Sequence, residues 1–111
     1  MNNIVCHHLD GSTIYNLYQW DSGVQALIRG SNLGSVTEVH FSNVASSKAL
    51  VVAPVRQGSD LLVDIPDVML RSPMTIDVHV CGDTSNSDLR TLGATRIVVL
   101  PRVKPPHYSY T

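Results

Sequence analysis

Apolar and polar residues alternate with period two along most of this chain, and almost nowhere with the period of a helix. Residues 74–81 (MTIDVHVC) show it best: Met74, Ile76, Val78 and Val80 fall on one face, Thr75, Asp77, His79 and Cys81 on the other. Residues 37–42 (TEVHFS) repeat the pattern, with Val39 and Phe41 inward and Glu38, His40 and Ser42 outward. Residues 13–20 (TIYNLYQW), 24–29 (VQALIR), 48–53 (KALVVA), 60–65 (DLLVDI) and 95–100 (TRIVVL) complete about seven predicted strands. Gly, Ser, Asn and Pro clusters separate them, at Asp21-Ser22-Gly23, Gly30-Ser31-Asn32, Ser42-Asn43, Gln57-Gly58-Ser59 and residues 82–86.

Only Pro66-Asp67-Val68-Met69-Leu70-Arg71 reads as a helical turn, stopped by Pro73. No internal repeat or low-complexity tract is present. The pattern predicts an all-β fold, an Ig-like antiparallel sandwich with extended arms. Residues 1–11 are expected as an N-terminal arm, 12–101 as the sandwich, and 102–111 as a Pro-rich C-terminal arm or linker. In that last stretch paired prolines favour an extended backbone without N–H donors, and the chain ends on His107-Tyr108-Ser109-Tyr110-Thr111.

Composition narrows the function classes. Charged residues are 15% of 111 residues, below the roughly 25% usual in soluble domains. Ser, Thr, Asn, Gly and Gln supply the polar surface instead, which suits a protein buried in an assembly. Eight basic and nine acidic residues give a net charge of −1. The cations are scattered, so the basic stripe of a nucleic-acid binder is missing. No apolar run approaches the ~18 residues of a membrane span, and residues 1–6 lack the features of a signal peptide. Two cysteines, Cys6 and Cys81, are no disulfide framework and are expected as free thiols.

Candidate chemistry is sparse. On one strand face His79 and Cys81 present two metal-ligand types, and Cys6 with His8 would complete a zinc set if the N-terminal arm folded back. Nothing requires that fold-back, so exposed histidines and a half-buried thiol are preferred, with no cofactor. No serine sits in a Gly-x-Ser-x-Gly elbow, and His79 with Cys81 lacks an orienting third group. Asp60, Asp64, Asp67 and Asp77 read as turn or solvent-facing carboxylates. Gly82-Asp83-Thr84-Ser85-Asn86-Ser87-Asp88 is rich in oxygen ligands but has no EF-hand spacing. Gly30-Ser31-Asn32-Leu33-Gly34 lacks the Lys-Ser/Thr of a phosphate loop. No catalytic residues are assigned.

The aromatics divide in two. Trp20 is expected in the core, with a sugar platform of Tyr15, Tyr18 and Trp20 as the alternative. Tyr108 and Tyr110 lie beyond the last strand with no core to fill. Together with Pro105, Pro106 and His107 they are candidates for an intersubunit contact.

A series of spaced motifs carries a family resemblance. Tyr18-Gln19-Trp20-Asp21 is followed by Glu38-Val39-His40-Phe41-Ser42-Asn43 and Val63-Asp64-Ile65-Pro66-Asp67 with Leu70. The strand Ile76-Asp77-Val78-His79-Val80 and the ending Lys104-Pro105-Pro106-His107-Tyr108-Ser109-Tyr110-Thr111 complete it. Over most of residues 14–111 this resembles the small β-sandwich domain at the N-terminus of many bacteriophage tail, baseplate and fibre proteins. The resemblance implies a virion component, assembled in the host cytoplasm, that docks a fibre or adhesin as a homo-oligomer beside other virion proteins. It implies no catalytic residues. Residues 1–11 are extra to the pattern, and the chain stops at Thr111 where relatives continue. The expected function is therefore a non-enzymatic assembly module. The alternative is a β-sandwich module that binds a surface glycan or receptor.

Overall fold

A computed structural model describes residues 3–30, 33–83 and 89–106. Three sheets share one core. Strands β1 (Asn3–His8), β2 (Thr13–Ile14), β4 (Val24–Arg29), β7 (Val55–Gln57) and β8 (Asp60–Asp64) form a five-stranded sheet in the order β2-β1-β4-β8-β7. Strands β5 (Val36–Ser42), β6 (Leu50–Val52), β9 (Ile76–Asp83) and β10 (Leu89–Ile97) form a four-stranded sheet in the order β10-β9-β5-β6. Every pairing in these two sheets is antiparallel. A small third sheet pairs β3 (Leu17–Tyr18) with β11 (Val99–Leu100) in parallel. The fold is an all-β sandwich, as the alternation predicts.

Inward residues of both large sheets meet in the core. Val24, Ala26, Ile28, Leu61 and Val63 come from one side, Val39, Phe41, Ile76, Val78 and Val80 from the other. Two short 3-10 turns fill its ends, with Leu33 buried in one and Met69 and Leu70 in the other. The second, Asp67–Leu70, is where a helical turn was expected.

Bulges explain the departures from simple alternation. Val36 and Val39 are both buried although three apart, because the β5–β9 register shifts between Val36 and Glu38. The β10–β9 register shifts at the same level, between Thr91 and Gly93. Cys81 lies between the two bulges and is buried, which corrects its expected outward exposure. Its neighbour Gly82 has no room for a side chain: a Cβ there would overlap the Ser35 carbonyl oxygen and come within 2.9 Å of Leu92 Cδ1.

The expected N-terminal arm is corrected from Asn3 onward. Asn3–His8 pairs with β4 along its whole length, and Ile4 and Cys6 pack against the core. Two histidines and an asparagine hide that alternation in the sequence. The expected strand over residues 13–20 breaks into two short pieces, and Trp20 lies outside both with φ of 74°. The expected last strand begins earlier, at Leu89, and its continuation is interrupted at Val98.

The Arg56 side chain bridges the two large sheets. Arg56 lies on the edge strand β7, opposite buried Leu61. Its guanidinium donates to the carbonyl oxygens of Leu33 (3.0 Å), Gly34 (2.9 Å) and Val36 (2.9 Å). The planar fork suits this task, donating to three carbonyl oxygens at once.

Candidate functional site

The most elaborate polar arrangement surrounds the segment that leaves the sandwich. The β3–β11 ladder runs to Leu100, where Gln19 N–H donates to the Leu100 carbonyl at 2.7 Å. Pro101 has no N–H and ends the ladder. Arg102 resumes contact through side chains: its N–H donates to Gln19 Oε1 at 3.3 Å, and its carbonyl accepts from Trp20 Nε1 at 3.1 Å. Two residues on, Lys104 Nζ lies 5.3 Å from the centroid of the Trp20 ring, a cation–π geometry.

The clamp is itself anchored. Trp20 N–H donates to the Leu70 carbonyl and Gln19 Nε2 to the Arg71 carbonyl, each at 2.7 Å. The Tyr18 N–H donates to Asp21 Oδ2 at 3.0 Å, closing the turn that carries both residues. A bulky residue in the left-handed region costs about 1–2 kcal/mol, and the bonds to Leu70 and Arg102 hold it there. Trp20 is therefore neither core filler nor part of a strand. The sequence pattern places the turn at Asp21-Ser22-Gly23, after Trp20, whereas the bonds between Tyr18 and Asp21 put Trp20 inside it.

Of the expected contact residues, Pro105 is half-buried and Pro106 exposed. His107, Tyr108 and Tyr110 lie outside the described residues. Among the alternative sugar-platform residues, Tyr15 is 90% exposed and Tyr18 41%. The Trp20 ring is engaged by Lys104 instead.

The four weak candidates for a metal set, Cys6, His8, His79 and Cys81, are dispersed. Cys6 and His8 belong to β1 of the five-stranded sheet, His79 and Cys81 to β9 of the four-stranded one. Among the described residues no three His, Cys, Asp or Glu side chains gather closely enough to hold a metal ion. Both cysteines are free thiols, and burial pushes each thiol pKa upward. A raised pKa leaves less thiolate at neutral pH, the reverse of an activated nucleophile.

The outer face of the four-stranded sheet is ordered in cross-strand rows. His40 stands opposite His79, Glu38 opposite Cys81 and Ser42 opposite Asp77. His40 Nε2 and Glu38 Oε2 are 2.7 Å apart. A shallow hollow of about 550 Å³ is lined by Asp77, His79, Ala94, Thr95 and Arg96. The Cys81 Sγ approaches the His79 carbonyl (3.9 Å) and Thr91 Oγ1 (4.0 Å), so its neighbours are weak partners and not an imidazole.

The four carboxylates are separately employed. Asp77 pairs with Arg96 at 3.1 Å and Asp60 with Arg29 at 3.6 Å. Asp64 accepts from Gln25 Nε2 at 2.9 Å, and Asp67 from the Gly23 N–H at 3.3 Å. Of the oxygen-rich loop, residues 84–88 lie outside the described residues.

Comparison with protein-family models, curated proteins and solved structures finds no match for this chain.

Proposed function

We propose that this chain is a non-enzymatic structural module of a bacteriophage particle, of the kind that anchors or decorates a fibre, tail, baseplate or head. It works by contact with copies of itself and with other virion proteins. The observation that carries the reading is the Gln19–Trp20 clamp, which sets the path of the segment leaving the sandwich. A flexible linker needs no such anchor. A segment that must present Pro105, Pro106 and the residues beyond them to a neighbour gains from one, because ordering it beforehand lowers the entropy lost on association. The motif resemblance and the low charge content point the same way.

Light scattering on the full chain and on a deletion of residues 103–111 tests this. The full chain is expected to assemble, and the shortened chain to keep its β-sheet spectrum but fall to a monomer. Equal masses for the two chains would refute the role given to the tail. The alternative, glycan binding on Tyr15, Tyr18 and Trp20, predicts that soluble sugars quench the single tryptophan. The assembly reading predicts no response.

A further inference from the structure

A cleft of about 530 Å³ opens at the side of the sandwich where the β2–β1 edge of one sheet approaches β10, the edge of the other. Ile4, Cys6, Ile14, Leu17, Ile97 and Val98 are among its lining residues. We propose that this cleft is a socket for a strand donated by a second copy of this chain, its C-terminal Tyr108-Ser109-Tyr110. This rests on the assembly reading above and names the surface that the tail would engage.

The backbone leaves a vacant place there. On the outer side of β1, β2 pairs only with Cys6 and His7, although β1 runs from Asn3 to His8. The hairpin fixes which groups face that side: His8 N–H donates to the Ser12 carbonyl, and the His8 carbonyl accepts from Gly11 N–H, both at 2.9 Å. Alternate residues repeat the direction, so the N–H and C=O of Ile4 point the same way. Past Ile14, no strand among the described residues pairs with them. Such an edge is a template for an added strand.

The side chains leave a matching gap. Ile4, Cys6 and Ile14 face the core yet remain only partly buried. Val98, at the opposite lip, is 63% exposed, and Tyr15 at the mouth is 90% exposed. Arg96 also lines the cleft, with its Nε held by Asp77. An apolar slot beside the open N–H and C=O of Ile4 fits a strand with bulky residues at alternate positions.

The tail has that pattern. With period two, Tyr108 and Tyr110 share one face and Ser109 and Thr111 the other. Tyr and Thr are strong strand formers. Direction selects a second copy as the donor. Leu17 and Val98 line the cleft, and from there β3 and β11 run parallel and away, toward the clamp at Trp20, Arg102 and Lys104. Pro106 lies eight positions beyond Val98 on this outgoing path, so the chain carries its own tail away from its own cleft. A neighbouring molecule can present its tail there.

Cys6 is a built-in reporter, since its thiol lines the cleft and no disulfide occupies it. The test follows maleimide labelling of Cys6, located by peptide mapping, together with mass by light scattering at each protein concentration. It compares the full chain with a Tyr108→Ser/Tyr110→Ser variant, which leaves the Trp20 clamp in place. For the full chain, labelling is expected to slow about tenfold at concentrations where nine in ten clefts are filled. The variant should label fast throughout, and a peptide of residues 103–111 added to it should restore protection. Assembly of the full chain with Cys6 labelled as fast as in the variant would overturn the socket and leave the assembly reading standing. A monomer at every concentration would overturn both.

Discussion

The indole N–H of Trp20 donates to the carbonyl oxygen of Arg102 at 3.1 Å, linking residues 82 positions apart. This bond fixes where the chain leaves the sandwich. It joins the turn after β3 to the first residue that Pro101 frees from the β3–β11 ladder.

Replacing Trp20 should therefore loosen the tail before it harms the sandwich. Trp20→Ala removes the bond to Arg102 and the ring beneath Lys104, together about 2 kcal/mol. Because φ is 74°, Trp20→Gly should be less destabilising than Trp20→Ala by about 1 kcal/mol. Urea midpoints of the two variants check the order. Alanine equal to or better than glycine would contradict the strained-turn account.

Gly82 is expected to be intolerant of any side chain. In Gly82→Ala the new methyl meets a backbone carbonyl, that of Ser35, which cannot rotate away. The expected loss is about 3 kcal/mol, measurable as a lowered thermal midpoint. A variant of wild-type stability would show that the double-bulge region is looser than described.

Arg56 should resist conservative exchange. Its three bonds to Leu33, Gly34 and Val36 depend on the fork of the guanidinium. Arg56→Lys keeps the charge but cannot reproduce that geometry, and should cost about 2 kcal/mol. Denaturation of Arg56→Lys beside Arg56→Met tests this: lysine well above methionine in stability would mean that charge, not geometry, matters.

Alkaline pH should weaken the fold through its thiols. Burial raises the pKa of both Cys6 and Cys81, so the folded chain holds those protons more tightly than the unfolded chain does. Their contribution is complete below the unfolded thiol value of about 8.5 and is lost as pH rises through the folded values. Urea midpoints should fall between pH 8 and pH 10, and less steeply in Cys6→Ser. An unchanged slope in that variant would remove Cys6 from the explanation.

The core strands were legible because both neighbours of each demand alternation. Val39 and Phe41 on β5, and Ile76, Val78 and Val80 on β9, announce their burial by spacing alone. Edge elements carry a weaker signal. β10 is exposed along most of its length, and β7 is exposed throughout, so neither needs an apolar face. Asn3–His8 reads as an arm in the sequence because its inward Ile4 and Cys6 stand among Asn3, His7 and His8. The burial of Cys81 depends on bulges in two neighbouring strands, which no local pattern encodes. The clamp was invisible for a similar reason: Gln19 and Trp20 meet Arg102 only after the ladder between β3 and β11 has formed.

The most direct test of the central claim leaves the protein unaltered. A peptide of residues 103–111 is titrated into the full chain while mass is followed by light scattering. If the tail makes the contact between copies, free peptide should compete for it, and the assembly should fall to monomer as peptide is added. An assembly whose mass is unmoved by saturating peptide would contradict that claim.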